Sequence, residues 1–166
     1  MAEEAKVVIE MTQAGYKEKV DRLNNLKNEI KREISEQIKY AKSLGDFSEN
    51  AELDAAKERD FKADKEIAEL EYEIANAKII EARVYLIYDE DEDKGFRYRK
   101  LELVGDSESD VLAGKICRQA PLAQELIKHA KGAEFSINGF KYKVIEDNEK
   151  KITKKMIDEL NASDKD

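Results

Sequence analysis

Between positions 16 and 44 apolar residues recur at every third or fourth place: Tyr16, Val20, Leu23, Leu26, Ile30, Ile34, Ile38, Ala41 and Leu44. Lys, Arg and Glu fill most of the remaining positions. The spacing predicts an amphipathic helix that Thr12 can cap, roughly 30 residues and about 45 Å long at the usual rise per residue. Gly45 is placed to end it in a left-handed conformation. A second stripe runs through Phe47, Ala51, Ala55, Ala56, Ala63, Ile67, Leu70, Ile74, Ala77 and Ile80. Folded back about Gly45, it sets Ala41 near Ala51, Ile38 near Ala55, Ile30 near Ala63, Leu23 near Leu70 and Val20 near Ile74. Two narrow stripes that match end to end predict an antiparallel coiled coil over 12–80, with an acidic tip at 45–54.

The period changes near Glu81. Residues 83–88, RVYLIY, are β-branched and aromatic, DEDEDKG reads as a turn, and FRYRKLELVG alternates as a strand does. Gly105 closes that strand, and a loop with one short strand around Ile116 follows. A short helix is predicted over 122–130, with Pro121 in the leading place that proline favours and Gly132 as its stop. EFSINGFKYKVIE predicts a hairpin turned by Asn138-Gly139. The chain is therefore expected to be α+β: a helical hairpin followed by a small sheet domain with one helix over 81–148. Residues 1–11 are expected as a flexible arm and 149–166 as a charged tail, with a helical turn or two around Ile152 and Leu160.

Composition narrows the function. Of 166 residues 41% are charged, the net charge is −8, and the pI is near 5.0 with a mean hydropathy of −0.74. That balance argues against non-specific coating of nucleic acid, which needs a broad basic surface to displace counterions. Any nucleic-acid contact is expected to be local. No apolar run is long enough for a membrane span and MAEEAKVVIE does not read as a signal peptide, so a cytoplasmic protein is expected. The single cysteine, Cys117, is expected as a small buried residue.

The chemistry is concentrated in GDFSENAELDAAKERD, residues 45–60. Asp46 and Glu49 are three apart, so on a helix they share a face. One reading is a capping box, with each side chain satisfying the other's backbone amide. The other is a pair of ligands for a hard divalent cation such as Mg²⁺, which takes one or two protein carboxylates and completes its shell from elsewhere. Two carboxylates alone make a poor cage, so a second macromolecule would supply the rest, and a long hairpin would provide the reach.

The same stretch resembles the tip of the bacterial Gre transcript cleavage factors, GDLSENAEYxAAKE. MTQAGYKEKVDRLNNLK is similar to that family's opening, MTxxGxxxLxxEL; LELVGDSESDVLAGKI resembles IVGxxEADxxxGxIS, and APLAQELIKHAKG resembles SPIAxALIGKxxG. The resemblance spans roughly residues 11–146 and is closest to the GreA-like branch. It implies an FKBP-like carboxy-terminal domain that docks on the rim of the RNA polymerase secondary channel, and a coiled coil that enters the channel and stimulates cleavage of a backtracked RNA 3′ end. It further implies that Asp46 and Glu49 share a Mg²⁺ with the polymerase active site, that Ser48 assists them by hydrogen bonding, and that Lys42 and Lys57 meet the RNA. No cofactor of its own is implied, the chain alone would hydrolyse nothing, and a monomer is expected. For Lys42 and Lys57 the competing reading is pairing with neighbouring acids; Lys39 and Arg59 are weaker candidates.

Three departures from the family pattern stand out. Leu53 replaces its tyrosine after ENAE. Gln119-Ala120-Pro121 replaces the Ser-Ser-Pro or Asp-Ser-Pro associated with docking. The connection from the second helix to the first strand is shorter than the family's, so a strand is expected to be missing there. The alternative these changes leave open is a Gre-like regulator that docks on polymerase and inhibits or competes without cleaving.

Overall fold

The computed structural model describes residues 7–45, 50–89 and 98–163. The first stripe is helical from Gln13 to Ser43, but in three parts: α1 (Gln13–Asn25), a π-helical stretch (Leu26–Ile30) and α2 (Lys31–Ser43). The π stretch departs from the single α-helix expected, and the spacing explains it. Leu26, Ile30, Ile34 and Ile38 follow one another in fours, which overshoots a 3.6-residue turn each time. A wider turn absorbs the drift and keeps all four side chains on one seam. The return helix is α3 (Ala51–Ala75). Leu26, Ile34, Ala63 and Leu70 are buried between the helices, with Leu23, Ile30, Ile38 and Ile67 packed against them. The cross-helix pairs Lys19–Glu73 and Lys31–Asp60 fit the register the stripes predicted.

α3 is shorter than its stripe at both ends. It starts at Ala51, and Asn76 closes it after Ala75 with its side-chain amide donating to the Tyr72 carbonyl at 2.7 Å. Ala77 and Ile80, expected in the seam, belong instead to strand β2 (Ala77–Ile80), which pairs with β1 (Ile9–Thr12). A strand therefore occupies the connection that looked too short to hold one. The expected arm at 1–11 is likewise strand from Ile9 onward, and Met11 is fully buried. By compactness the chain divides into two units, Met1–Ile9 with Gln13–Lys78, and Glu10–Thr12 with Ile79–Asp166.

In the second unit β3 (Arg83–Asp89), β4 (Tyr98–Val104), β5 (Lys115–Cys117), β6 (Glu134–Ile137) and β7 (Phe140–Glu146) form one sheet in the order β5-β4-β3-β7-β6. Every pairing is antiparallel except β4 with β5. Asn138 and Gly139, both at positive φ (51° and 88°), make the tight turn of the β6–β7 hairpin. Strand alternation sends Tyr85, Ile87, Leu101, Leu103 and Val144 to one face, under Ala123 and Leu126 of α4 (Pro121–Lys128). Val84 and Leu86 face the other way and are covered by Ile152 and by Met156, Ile157 and Leu160 of α5 (Lys154–Ser163). The Asn161 side chain donates to the Tyr98 carbonyl and accepts from its amide, both at 2.9 Å. The charged tail is thus the second cover of the sheet and belongs to the domain.

Glu108 fixes β1 within this unit. Its carboxylate accepts from the Thr12 amide at 2.7 Å, the Thr12 hydroxyl at 2.5 Å and the Gly105 amide at 3.3 Å. Gly105 is required by the close approach, because a Cβ there would stand 1.8 Å from the Glu10 carbonyl oxygen.

Candidate functional site

The hairpin turn is built by two caps. Leu44 ends α2, and Gly45 follows at φ 88°, the left-handed conformation expected of it. On the far side Asn50 leaves the helical region (φ −85°, ψ 86°), and its side-chain oxygen accepts from the Leu53 amide at 3.0 Å. Its side-chain amide donates to the Ala41 carbonyl at 2.7 Å, tying the end of α2 to the start of α3. Asp46, Ser48 and Glu49 lie outside the described residues. The N-cap of α3 is nevertheless Asn50, so the capping box that would have placed Asp46 there is not how this helix starts. Asn50 was legible as a cap, since asparagine directly before an Ala-Glu-Leu helix start favours that position. Leu53, in the place of the family's tyrosine, is buried at 4% exposure.

The flanks of the hairpin near this turn differ. The Lys31 ammonium reaches Asp60 at 2.5 Å and Asp64 at 2.8 Å, and its hydrogen bonds to those carboxylates, Asp60 first, hold its pKa above the ordinary lysine value. Lys42 is eleven residues beyond Lys31, about three helical turns, so it projects on the same flank. Lys57 lies one turn before Asp60 and joins them there. Both lysines are exposed, and neither has a partner among the described residues, which removes neighbouring described acids as their occupation. Lys39, one turn before Lys42, is exposed as well. Arg59 lies on the opposite flank and is engaged, donating to the Gln37 side chain at 2.7 Å and standing 4.0 Å from Glu33.

In the second unit the expected docking stretch is a turn between β5 and α4, pinned by hydrogen bonds. Gln119 and Pro121 are exposed, while Ala120 packs partly against the core below α4. The Ala120 amide donates to the Cys117 carbonyl at 2.9 Å, the Gln119 amide to Cys117 Sγ at 3.4 Å, and the Gln124 side chain to the Arg118 carbonyl at 2.6 Å. Pro121 stands at the first turn of α4, where its missing N–H costs nothing.

The family models agree with this division. The N-terminal model of the GreA/GreB transcription elongation factors matches residues 9–79, and their C-terminal model matches 79–153. The chain belongs to the GreA/GreB family. It is similar to the transcription elongation factor GreA of Halalkalibacterium halodurans, 37% identical over 78% of this chain and 85% of that one. Against the transcription elongation factor GreA of Prosthecochloris aestuarii the identity is 34%, over 78% of this chain and 88% of the relative. Among solved structures, the GreA factor homolog 1 of Thermus thermophilus is 20% identical, covering 86% of this chain and 99% of that one at a TM-score of 0.40.

The remaining candidates have structural occupations in this Gre chain. His129 stacks on Phe135 with ring centroids 4.9 Å apart and lies 3.6 Å from Glu125. Tyr85 is core, Tyr142 stacks on Phe135 at 5.6 Å, and Tyr88 meets Tyr98 edge to face at 5.1 Å. Cys117 is half-buried, more open than expected, with its sulfur accepting from the Gln119 amide. Among the described residues no group of three or more His, Cys, Asp or Glu side chains could hold a metal, and no helix is long and apolar enough to cross a membrane.

Proposed function

We propose that this chain acts in the cytoplasm as a transcript cleavage factor: its hairpin enters the RNA polymerase secondary channel and stimulates cleavage of the backtracked RNA 3′ end by the polymerase active site. The observation that carries the reading is the division of labour at the turn. Asn50 is the cap of α3, so the start of that helix does not require Asp46 and Glu49 as a capping box. Two acidic residues in the connecting sequence of a helical hairpin, together with two exposed lysines on one flank that have no partner among the described residues, suit a site completed in trans. The donor set fits Mg²⁺, a hard cation that accepts one or two protein carboxylates and draws its other ligands from water, phosphate or a second protein. Asp46 and Glu49 would hold a Mg²⁺ shared with the polymerase, whose chemistry when bound is to activate water and offset phosphate charge. Ser48 would support the carboxylates by hydrogen bonding. Lys42 and Lys57 would contact RNA phosphates, and the Gln119-Ala120-Pro121 turn would engage the rim of the channel. The chain works as a monomer and has no nuclease activity of its own.

The test is a halted, backtracked elongation complex in Mg²⁺, treated with the natural chain or with Asp46→Ala/Glu49→Ala. The natural chain should release short 3′ RNA fragments promptly, and the double variant should not while still binding polymerase. Equal cleavage by both would remove the carboxylates from the mechanism. Binding by the natural chain with slowed elongation and no cleavage would establish the non-cleaving regulator instead.

A further inference from the structure

On the flank opposite Lys42 and Lys57, two large apolar side chains are left in solvent next to the turn. Tyr40 is 63% exposed and Leu44 is 53% exposed. They are four apart on one helix, so they adjoin and make one continuous apolar ledge. Tyr40 follows Gln37 by one turn, and Gln37 is the residue that Arg59 reaches across from α3, which fixes the flank. Single exposed apolar residues are ordinary, but an adjoining pair on a helix this rich in charge is a contact surface in waiting.

The charges around the ledge decide what it contacts. Arg59 is occupied by Gln37 and Glu33, and Glu33 adds a negative charge on the same side. An RNA phosphate arriving there would meet an acid and an engaged guanidinium, whereas Lys42 and Lys57, exposed and without a partner among the described residues, lie on the other flank. We propose that Tyr40 and Leu44 form a protein-contact ledge that packs against an apolar patch in the wall of the polymerase channel, so that the hairpin enters in one rotational setting with its lysine flank turned to the RNA. This rests on the function proposed above, and it adds the surface that fixes which way the tip faces.

The test places a photo-crosslinking benzoyl-phenylalanine at position 40 in one variant and at position 42 in another, each bound to a halted, backtracked complex with labelled RNA. Position 40 should crosslink to a polymerase subunit and position 42 to RNA. Labelled RNA attached at position 40 would make the ledge a base-stacking platform and overturn the proposal, as would no product at 40 alongside RNA at 42. No product at either position, with no stimulated cleavage by the natural chain, would remove the proposed function and this inference together. Tyr40→Ala/Leu44→Ala should need about tenfold more protein for half-maximal cleavage, since two apolar contacts are lost. Both side chains are exposed, so helix content should be unchanged by circular dichroism; an unchanged half-maximal concentration would also overturn the ledge.

Discussion

The hairpin buries one thin layer between two helices, whereas the sheet of the second unit is covered on both faces. In the hairpin, Leu26, Ile34, Ala63 and Leu70 form the buried layer, and the side chains packed against it remain partly open to water. Its flanks carry cross-helix pairs: Lys19 with Glu73, Arg22 with Glu66, Lys27 with Glu71, and Lys31 with Asp60 and Asp64. Pairs this exposed contribute little energy, but opposite charges at matched heights favour one register over its neighbours. In the sheet, Leu86, Ile87, Leu103, Leu126 and Val144 are fully buried. The lesson is a division of roles. The hairpin needs only enough seam to stay in register, while the sheet unit needs a packed core to hold the proposed docking turn steady.

Removing residues 153–166 should break the sheet side of this contrast most severely. It strips Met156, Ile157 and Leu160 from Val84 and Leu86. The expected loss is about 3–5 kcal/mol, from about 1.5–3 kcal/mol per large side chain scaled to partial burial. Hydrogen exchange resolved by segment should show β3 and β4 losing protection while seam amides of α3 keep theirs. Equal loss in both would show that the two units are one cooperative body.

Next in size are matched truncations. Leu103→Ala in the sheet core should cost about 4 kcal/mol and Ile34→Ala in the seam about 2–3 kcal/mol, because partly open neighbours can relax into the seam's gap. Denaturant unfolding of both variants measures the difference, and equal costs would mean the seam packs as rigidly as a core. Asn50→Ala should cost about 1–2 kcal/mol by losing a cap and the bond to the Ala41 carbonyl. Asn50→Asp keeps an acceptor for the Leu53 amide but cannot donate to Ala41, so it should recover about half of that loss.

The same contrast explains what the sequence made legible. The seam was readable because its contacts repeat: Ile30 with Ala63 and Leu23 with Leu70 follow from stripe spacing alone. Strands β3, β4 and β7 were readable from local alternation, and the hairpin turn from Asn138-Gly139. The β1–β2 pairing was not, because it joins Ile9–Thr12 to Ala77–Ile80 across the whole hairpin, and Ala77 and Ile80 happen to continue a helical spacing. The place of α5 was hidden for a similar reason. Met156, Ile157 and Leu160 mark an apolar face, but nothing local says that a sheet face is waiting for it. At the turn, Lys42 and Lys57 were placed one on each helix, but the flank they share emerges only from the cross-helix pairing of Lys31 with Asp60 and Asp64. Of the two readings of Asp46, the capping box gives way to Asn50 as the cap of α3.

Two ion pairs carry the contrast into pH. Glu146, only 4% exposed, accepts from Lys131 at 2.7 Å and from the Asp147 and Asn148 amides. The Lys131 bond first, then the backbone bonds, hold its carboxyl below the ordinary value. A carboxyl with a depressed folded pKa adds stability above its unfolded pKa, near 4.5, and loses it as pH falls through the lower folded value. Glu146→Gln should therefore lower the melting temperature of the second unit at neutral pH, with the gap from the natural chain closing at acid pH.

Glu66 in the hairpin shows the same direction from a weaker setting. Its carboxylate takes two bonds from Arg22, at 2.7 and 3.0 Å, and that hydrogen bonding chiefly lowers its pKa. The carboxylate side chain is 40% exposed, however, so solvent screens the pair. After that discount Glu66→Gln should cost only about 0.3–0.5 kcal/mol at neutral pH and low salt. The sign is again that of a depressed carboxyl: the contribution is present above about pH 4.5 and fades as Glu66 takes up its proton. In 1 M salt the screening length falls to about 3 Å, so the difference should vanish there, whereas that of Glu146→Gln should persist because its carboxylate is buried. Thermal melts of both variants across salt and pH measure this, and a Glu66 effect that survives high salt would mean the hairpin's flank pairs hold it together as well as fixing its register.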